Sequence, residues 1–434
     1  MQQRATPAAT PTGPAWTRLP ATVDAAHPIG NWLLQMGFDV WIRLGYDREV
    51  VMPENFAPAP GSLIASNHQR DVDGPMLGLV LAQRRGFRFQ GTPPFYATRE
   101  DLFRPGILSR LTVRWPRPLS ALLGHISLAW FFPLGRTEPM RRVREFTLGE
   151  ALHALLDAGQ GDADCSTLLN ARGQRELGVR HATLADCIEH ANRVALEQWW
   201  GLRRLKVAAL GIIAPAFRAT VEAQLAHFAR RLDRGCCVYF SPEGTISMDG
   251  HFCRTREGFF RLVHLSAQRP WIQPMALGYD TLSPGRSRVV VRIGERFRAD
   301  TSLHRHAFDT ALRDTILQLV PVTPSHLLAR WLSHGPRRFA GDDLGRWMAR
   351  GLTALRIAHP SLDPLFTRQS VTRIAHDRLR WMEHKDLVVR RGDGFENRCP
   401  RDAPPGWRTH AGVAHYLDNN LADLVPEVDR MLPC

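Results

Sequence analysis

Lysine is almost absent from this chain of 434 residues. Lys206 and Lys385 are the only two, so the 56 basic residues, set against 42 acidic ones for a formal net charge of +14, are nearly all arginine. Arginine's planar fork suits bidentate contact with phosphate, carboxylate or phospholipid headgroups. Neither lysine lies in a phosphate-cradling G-x-x-x-x-G-K context, and no G-x-S-x-G elbow occurs, which removes a P-loop nucleotidase and a serine hydrolase. Cysteine is sparse, odd in number and never spaced C-x-x-C: Cys165, Cys187, Cys236, Cys237, Cys253, Cys399 and Cys434. Neither a disulfide framework nor a zinc ribbon is expected, and a reducing compartment is. No stretch reaches about 18–20 uninterrupted apolar residues, so a membrane-spanning helix is not expected. The first 28 residues are rich in Pro, Ala and Thr and lack an apolar h-region. They read as a disordered leader over residues 1–28.

What remains is an ordinary globular balance, 44% hydrophobic and 23% charged. Between Asn31 and Leu44 the polar residues Asn31, Gln35, Asp39 and Arg43 recur every four positions, with Trp32, Leu33, Leu34, Met36, Phe38, Val40, Trp41 and Ile42 between them. This is a helix with one polar stripe, suited either to a membrane interface or to core packing. Short apolar runs at Leu63–Ala65, Trp130–Pro133, Cys236–Phe240, Ile272–Leu277 and Val289–Ile293 alternate with helical patterns. They predict an α/β domain over 29–300 in which helices flank a mixed, largely buried sheet. A Gly- and Asp-bearing stretch and a long helical pattern from Leu184 to Trp200 suggest a helical insertion at about 137–230. Residues 301–434 read as mainly helical, with a helix over Val371–Met382 and a following Gly392-Asp393-Gly394 turn suggesting a small winged-helix-like unit. His304 and His306 lack the spacing of a helical metal pair, and no metal is expected.

Chemistry concentrates in Asn67-His68-Gln69-Arg70-Asp71-Val72-Asp73. On one continuous helix His68 and Asp73 would point about 140° apart, so they meet only across a turn. Gly74-Pro75 favours a helix start there, with Asp73 as its N-cap and His68 on the loop before it. A carboxylate at His68 would orient the ring and raise its basicity, making a general base. Ser241-Pro242-Glu243-Gly244-Thr245-Ile246-Ser247 and Trp130-Phe131-Phe132-Pro133-Leu134-Gly135-Arg136 likewise put polar groups after apolar strands, where α/β folds gather ligands.

These blocks resemble, in order, those of the glycerolipid acyltransferase superfamily, which includes 1-acylglycerol-3-phosphate and glycerol-3-phosphate acyltransferases. The H-x-x-x-x-D block matches His68 and Asp73. The P-E-G-T core and final serine match within Ser241–Ser247, the aromatic block ending in arginine matches Phe131–Arg136, and the apolar-Pro block matches Ile272–Leu277. Phe95–Phe103 and Gly124-His125-Ile126 look like the connecting region, so the resemblance covers about residues 45–298 apart from the insertion. It implies that His68 deprotonates an acceptor hydroxyl, that Asp73 orients it, that Gly244 and Thr245 help bind the acceptor and shape the site, that Glu243 either fixes the loop or hydrogen-bonds the acceptor, and that Arg136 contacts an acceptor phosphate. Ile246 stands where the family usually carries an arginine and Ser241 where it carries phenylalanine. Arg254 or Arg256 is a candidate substitute for the arginine, though each also fits a solvated surface charge. A weaker likeness to a tyrosine and asparagine helix of glycerol-3-phosphate acyltransferases falls on His415–Asn420.

The expectation is therefore an O-acyltransferase of phospholipid biosynthesis. It would move a fatty acyl group from acyl-CoA or acyl-carrier protein to a hydroxyl of a glycerolipid such as lysophosphatidate, with no cofactor beyond the thioester co-substrate. It would work peripherally on the cytoplasmic face of the cell membrane. Glycerol 3-phosphate is the alternative acceptor. From another class, the winged-helix-like tail and the net charge permit a nucleic-acid-binding protein with an inactive acyltransferase-like domain.

Overall fold

The computed structural model describes residues 28–54, 56–85, 88–89, 94–103, 131–142, 146–178, 182–191, 193–196 and 201–433. Apart from Pro28, the leader lies outside them, as do Trp130 and Gly124-His125-Ile126. The fold is α/β, with a mixed eight-stranded sheet flanked by helices.

The strands are β1 (Tyr46–Val51), β2 (Ser62–Ser66), the short pair β3 (Arg84–Arg85) and β4 (Arg88–Phe89), β5 (Phe95–Arg99), β6 (Thr137–Met140), β7 (Val238–Tyr239), β8 (Trp271–Asp280), β9 (Ser287–Ile293) and β10 (Phe297–Arg298). The main sheet runs β1-β9-β8-β2-β7-β5-β6, with β10 also against β8. β2 is parallel to both β8 and β7, whereas β8 and β9 are antiparallel. All five residues of β2 are buried, and nine of the ten in β8, because elements cover both faces of the sheet. Pro274 sits inside β8 at the place where the strand changes partner: Trp271 and Ile272 pair with β10, and pairing with β9 begins at Met275. A missing N–H is tolerated at such a switch.

Trp130–Pro133 does not supply the expected strand. Phe132–Gly135 is a 3-10 turn, and β6 starts after Arg136. The helix expected over Leu184–Trp200 is broken into Leu184–His190 and Arg193–Leu196, with residues 197–200 outside the described set.

The chain divides into two compact units. One comprises the described parts of Ala97–Pro133 and Thr137–His227, the other those of His27–Tyr96, Leu134–Arg136 and Phe228–Cys434. The first has its own core of Phe146, Leu148, Leu152, Leu155, Ile213 and Phe217, and its helices start at side-chain caps such as Thr147 and Thr183. Cys165 and Cys187, both buried, form a disulfide within it. Their spacing in the sequence gave no sign of that pairing.

In the second unit, residues beyond 300 do not stand apart from the sheet. Ala276 of β8 and Leu282 belong to one core cluster with Leu328, Trp331, Met348, Met382 and Leu417. Asp280, at the end of β8, accepts bonds from Ser325 and Arg378. Helices Pro324–His334, Asp343–Ala358 and Val371–His384 and strands β11 (Arg338–Ala340), β12 (Val388–Arg391) and β13 (Gly394–Asn397) follow a winged-helix order, with a β11-β13-β12 sheet.

Helix Pro28–Gly45 lies with its polar stripe inward. Gln35 and Asp39 are buried, Asp39 pairing with Arg43 and Arg48, while Leu33, Val40, Trp41 and Leu44 are 58%, 51%, 52% and 73% exposed. No helix among the described residues is long and apolar enough to cross a membrane.

Candidate active site

The site forms where β2 and β7 end, and each piece follows from the chain's local bonding. Asn67 continues the β2 ladder with its side chain: Nδ2 donates to the Leu277 carbonyl and Oδ1 accepts from Leu277 N–H, both at 2.9 Å. This fixes the residue that follows. His68 N–H donates to Glu243 Oε1 at 2.8 Å, and its carbonyl accepts from Ser247 N–H at 3.0 Å. The His68 backbone is thus gripped from both sides by the turn after β7.

Asp73 does not cap the following helix, contrary to expectation. The helix Asp73–Ala82 begins at Asp73 itself, and the carboxylate turns back onto the loop. Its Oδ2 accepts from the His68 ring Nδ1 at 3.1 Å, Gln69 N–H at 2.6 Å and Arg70 N–H at 2.8 Å, while its Oδ1 accepts from the Tyr279 hydroxyl. Three bonds to one carboxylate oxygen bend the loop enough to bring residues 68 and 73 together, which their spacing alone does not allow. Asp73 is fully buried and the His68 side chain is 22% exposed.

These contacts set the protonation of the ring. A carboxylate can only accept, so Nδ1 carries the hydrogen and Nε2 keeps a lone pair. Burial opposes charge on His68, but the hydrogen bond and negative charge of Asp73, with Glu243 and Asp71, outweigh it and raise the pKa above the ordinary 6.5.

Glu243 is buried, and burial pushes its carboxyl up to about 7 against the pull of backbone N–H bonds from Cys253 and His68. Its second oxygen accepts from Cys253 N–H at 2.8 Å. With one oxygen on each N–H, Glu243 braces the loop and is not placed to hold an acceptor. Gly244 closes the turn at φ +60°, its N–H donating to the Ser241 carbonyl at 3.0 Å, and Thr245 beside it is half-buried. Arg256 lies along the same turn, with Nε donating to the Glu243 carbonyl at 3.2 Å, so it is tied to the loop.

Arg136 is not brought into this group. Its guanidinium lies over the Phe95 ring, near Arg231, Cys236 and Cys237. Those cysteines precede β7, whereas His68 follows the parallel β2, so Arg136 is at the opposite end of the strands.

Several residues of the site carried no role in the sequence reading. Tyr279 closes the back of Asp73, and its place at the end of β8 was the one available signal. The helix His410–Leu424, which carries the weaker likeness at His415–Asn420, is largely buried. Its Asn420 donates to the Gly250 carbonyl at 3.0 Å and accepts from Gln69 Nε2 at 3.4 Å. The fully buried His326 accepts Thr323 N–H at Nδ1, so Nε2 donates to Asn420 Oδ1 at 3.0 Å. Burial holds His326 down to about 4, and it is neutral at physiological pH.

Among the described residues no cluster of His, Cys, Asp and Glu could hold a metal ion. The chain matches no model of a known protein family, and no curated protein matches it.

Proposed function

We propose that this protein is an O-acyltransferase that carries a fatty acyl group from a thioester to the hydroxyl of a glycerolipid acceptor. The observation that supports it most is the His68–Asp73 contact, a ring with one nitrogen donated to a buried carboxylate and the other left basic. The four sequence blocks that resemble the acyltransferase superfamily supply the reaction class.

In this reading the acceptor hydroxyl gives its proton to His68 Nε2 as its oxygen attacks the thioester carbonyl. The tetrahedral intermediate collapses by breaking the C–S bond, and the thiolate takes the proton back from the imidazolium. Asp73 stabilises the imidazolium without becoming protonated. Glu243 holds the His68 backbone still, which keeps Nε2 aimed at one place.

The glycerolipid acceptor is a membrane lipid in this account, and helix Pro28–Gly45 is the element that meets the bilayer. Its Leu33, Val40, Trp41 and Leu44 face out and give it an apolar outer side. The winged-helix order of the tail does not favour nucleic acid. On its helix and wing, Arg380 faces Asp377, Arg390 faces Glu383 and Arg391 faces Glu396.

The test is a purified-protein assay with a labelled acyl thioester and a panel of alcohols that includes lysophosphatidate and glycerol 3-phosphate. Ester formed by the wild type and lost in His68→Ala is the expected result. Transfer that survives this substitution refutes the mechanism.

A further inference from the structure

Arg70, two residues beyond the proposed base, is held by aromatic rings where Arg288, Arg378 and Arg330 of the same unit are held by carboxylates. Arg288 faces Asp363, Asp280 and Glu49, Arg378 faces Asp280, and Arg330 faces Asp418 and Asp429. Arg70 has no carboxylate partner among the described residues. Its guanidinium carbon lies 3.7 Å from the ring centre of Trp407, 4.7 Å from that of Tyr279 and 5.9 Å from that of Tyr46. Nη1 donates to the Tyr46 hydroxyl at 3.1 Å, and Nε is buried without a partner.

We propose that Arg70 is the residue that recognises the anionic group of the acceptor, a phosphate monoester. This rests on the acyl-transfer reading for the existence of an acceptor, but its binding step is independent of it. Aromatic faces attract the cation without neutralising it, so the positive charge stays available in a site of reduced polarity. With Nη1 spent on Tyr46, the edge formed by Nε and Nη2 is left, and that edge matches two oxygens of a phosphate.

The location agrees. Tyr279 ends β8, which is parallel to β2, and Tyr46 opens β1 beside the start of β9, so the aromatic box stands at the same end of the sheet as His68. Of the other positions considered for this role, 246 is isoleucine, Arg136 lies over Phe95, and Arg256 is tied through Nε to the Glu243 carbonyl. The Trp407 ring lies 3.7 Å from the guanidinium carbon, so an anion that engages this edge changes the surroundings of the indole.

Trp407 is therefore the reporter. Inorganic phosphate is titrated at constant ionic strength into the full-length wild type, Arg70→Gln, Arg70→Lys and Trp407→Phe, with indole emission and calorimetry as readouts and thermal melts as the folding check. A saturable wild-type signal is expected, absent as an emission change in Trp407→Phe. Binding should be at least tenfold weaker in Arg70→Gln and partly restored in Arg70→Lys. Phosphate binding that is absent in the wild type, or equal in a folded Arg70→Gln, overturns the proposal.

A second arm compares acceptors. In Arg70→Gln the kcat/KM ratio of lysophosphatidate over neutral monoacylglycerol should fall tenfold or more, and a matching loss with soluble glycerol 3-phosphate would mark phosphate itself, not the lipid headgroup, as what is read. An unchanged ratio overturns the proposal while leaving acyl transfer standing. Arg70-dependent phosphate binding in a protein that transfers no acyl group supports the proposal and refutes the proposed function.

Discussion

Replacing Asp73 by asparagine isolates the charge of this carboxylate from its shape. Alanine would strand four donors, His68 Nδ1, Gln69 N–H, Arg70 N–H and the Tyr279 hydroxyl. At about 1–3 kcal/mol for each buried unsatisfied group, the loss reaches roughly 4–12 kcal/mol, comparable with the whole stability of a domain. Asparagine keeps an oxygen for the loop donors, and Tyr279 can turn its hydroxyl to accept from the new amide. What is lost is the difference between charged and neutral hydrogen bonds, about 1 kcal/mol for each of the three bonds to Oδ2, or about 3 kcal/mol in all. The protein should remain folded with a lower melting temperature. Its chemistry should suffer more, because burial, the largest influence on His68, would no longer be opposed by Asp73. A weaker base with less control of its tautomer should cost about 100-fold or more in kcat. The wild-type rate should fall as pH drops through a midpoint above 6.5, and the Asp73→Asn midpoint should move lower. Thermal melts together with acyl-transfer rates from pH 5 to 9 read both effects. A folded variant within a few fold of wild type, with the same midpoint, would refute the role given to Asp73.

Three further outcomes follow from the same contacts. Gly250 adopts φ +100° and a Cβ there would stand 1.9 Å from the Tyr416 carbonyl oxygen, so Gly250→Ala should destabilise the protein by about 2–4 kcal/mol in urea melts and loosen the tail helix from the loop. Glu243 is pushed up to about 7 from 4.5, so its ionisation opposes folding: its contribution is most favourable below 4.5, declines as pH rises toward 7, and is level above that. The stability of wild type relative to Glu243→Gln should therefore fall across that window by up to about 3 kcal/mol, and a flat difference would contradict the burial of this carboxyl. Leu33→Ser and Trp41→Ser should each weaken binding to vesicles containing anionic lipid by about five- to tenfold in a flotation assay without lowering the melting temperature, since both side chains face out.

Much of the larger unit was legible in the sequence because its signals are local. Apolar runs marked β2, β8 and β9, and the Gly74-Pro75 step marked the next helix within a residue. The meeting of His68, Asp73 and Glu243 was legible because each follows a strand at the same sheet end. Long-range geometry was not. Nothing around Asp73 distinguishes a cap from a carboxylate that turns back, because the deciding partner, Tyr279, is 206 positions away. The polar stripe of the first helix showed its period but not which side faces inward, and buried Asp39 is tolerated only through Arg43 and Arg48. Arg136 followed an apolar run like the other site residues, yet the run is a 3-10 turn and delivers the guanidinium elsewhere.

The most direct test is to titrate the His68 imidazole by NMR and to measure kcat/KM for acyl transfer over the same pH range. The account predicts one shared midpoint above 6.5 and a rate that rises as the ring loses its proton. A ring that titrates below 6.5, or transfer whose pH dependence ignores it, would contradict the account.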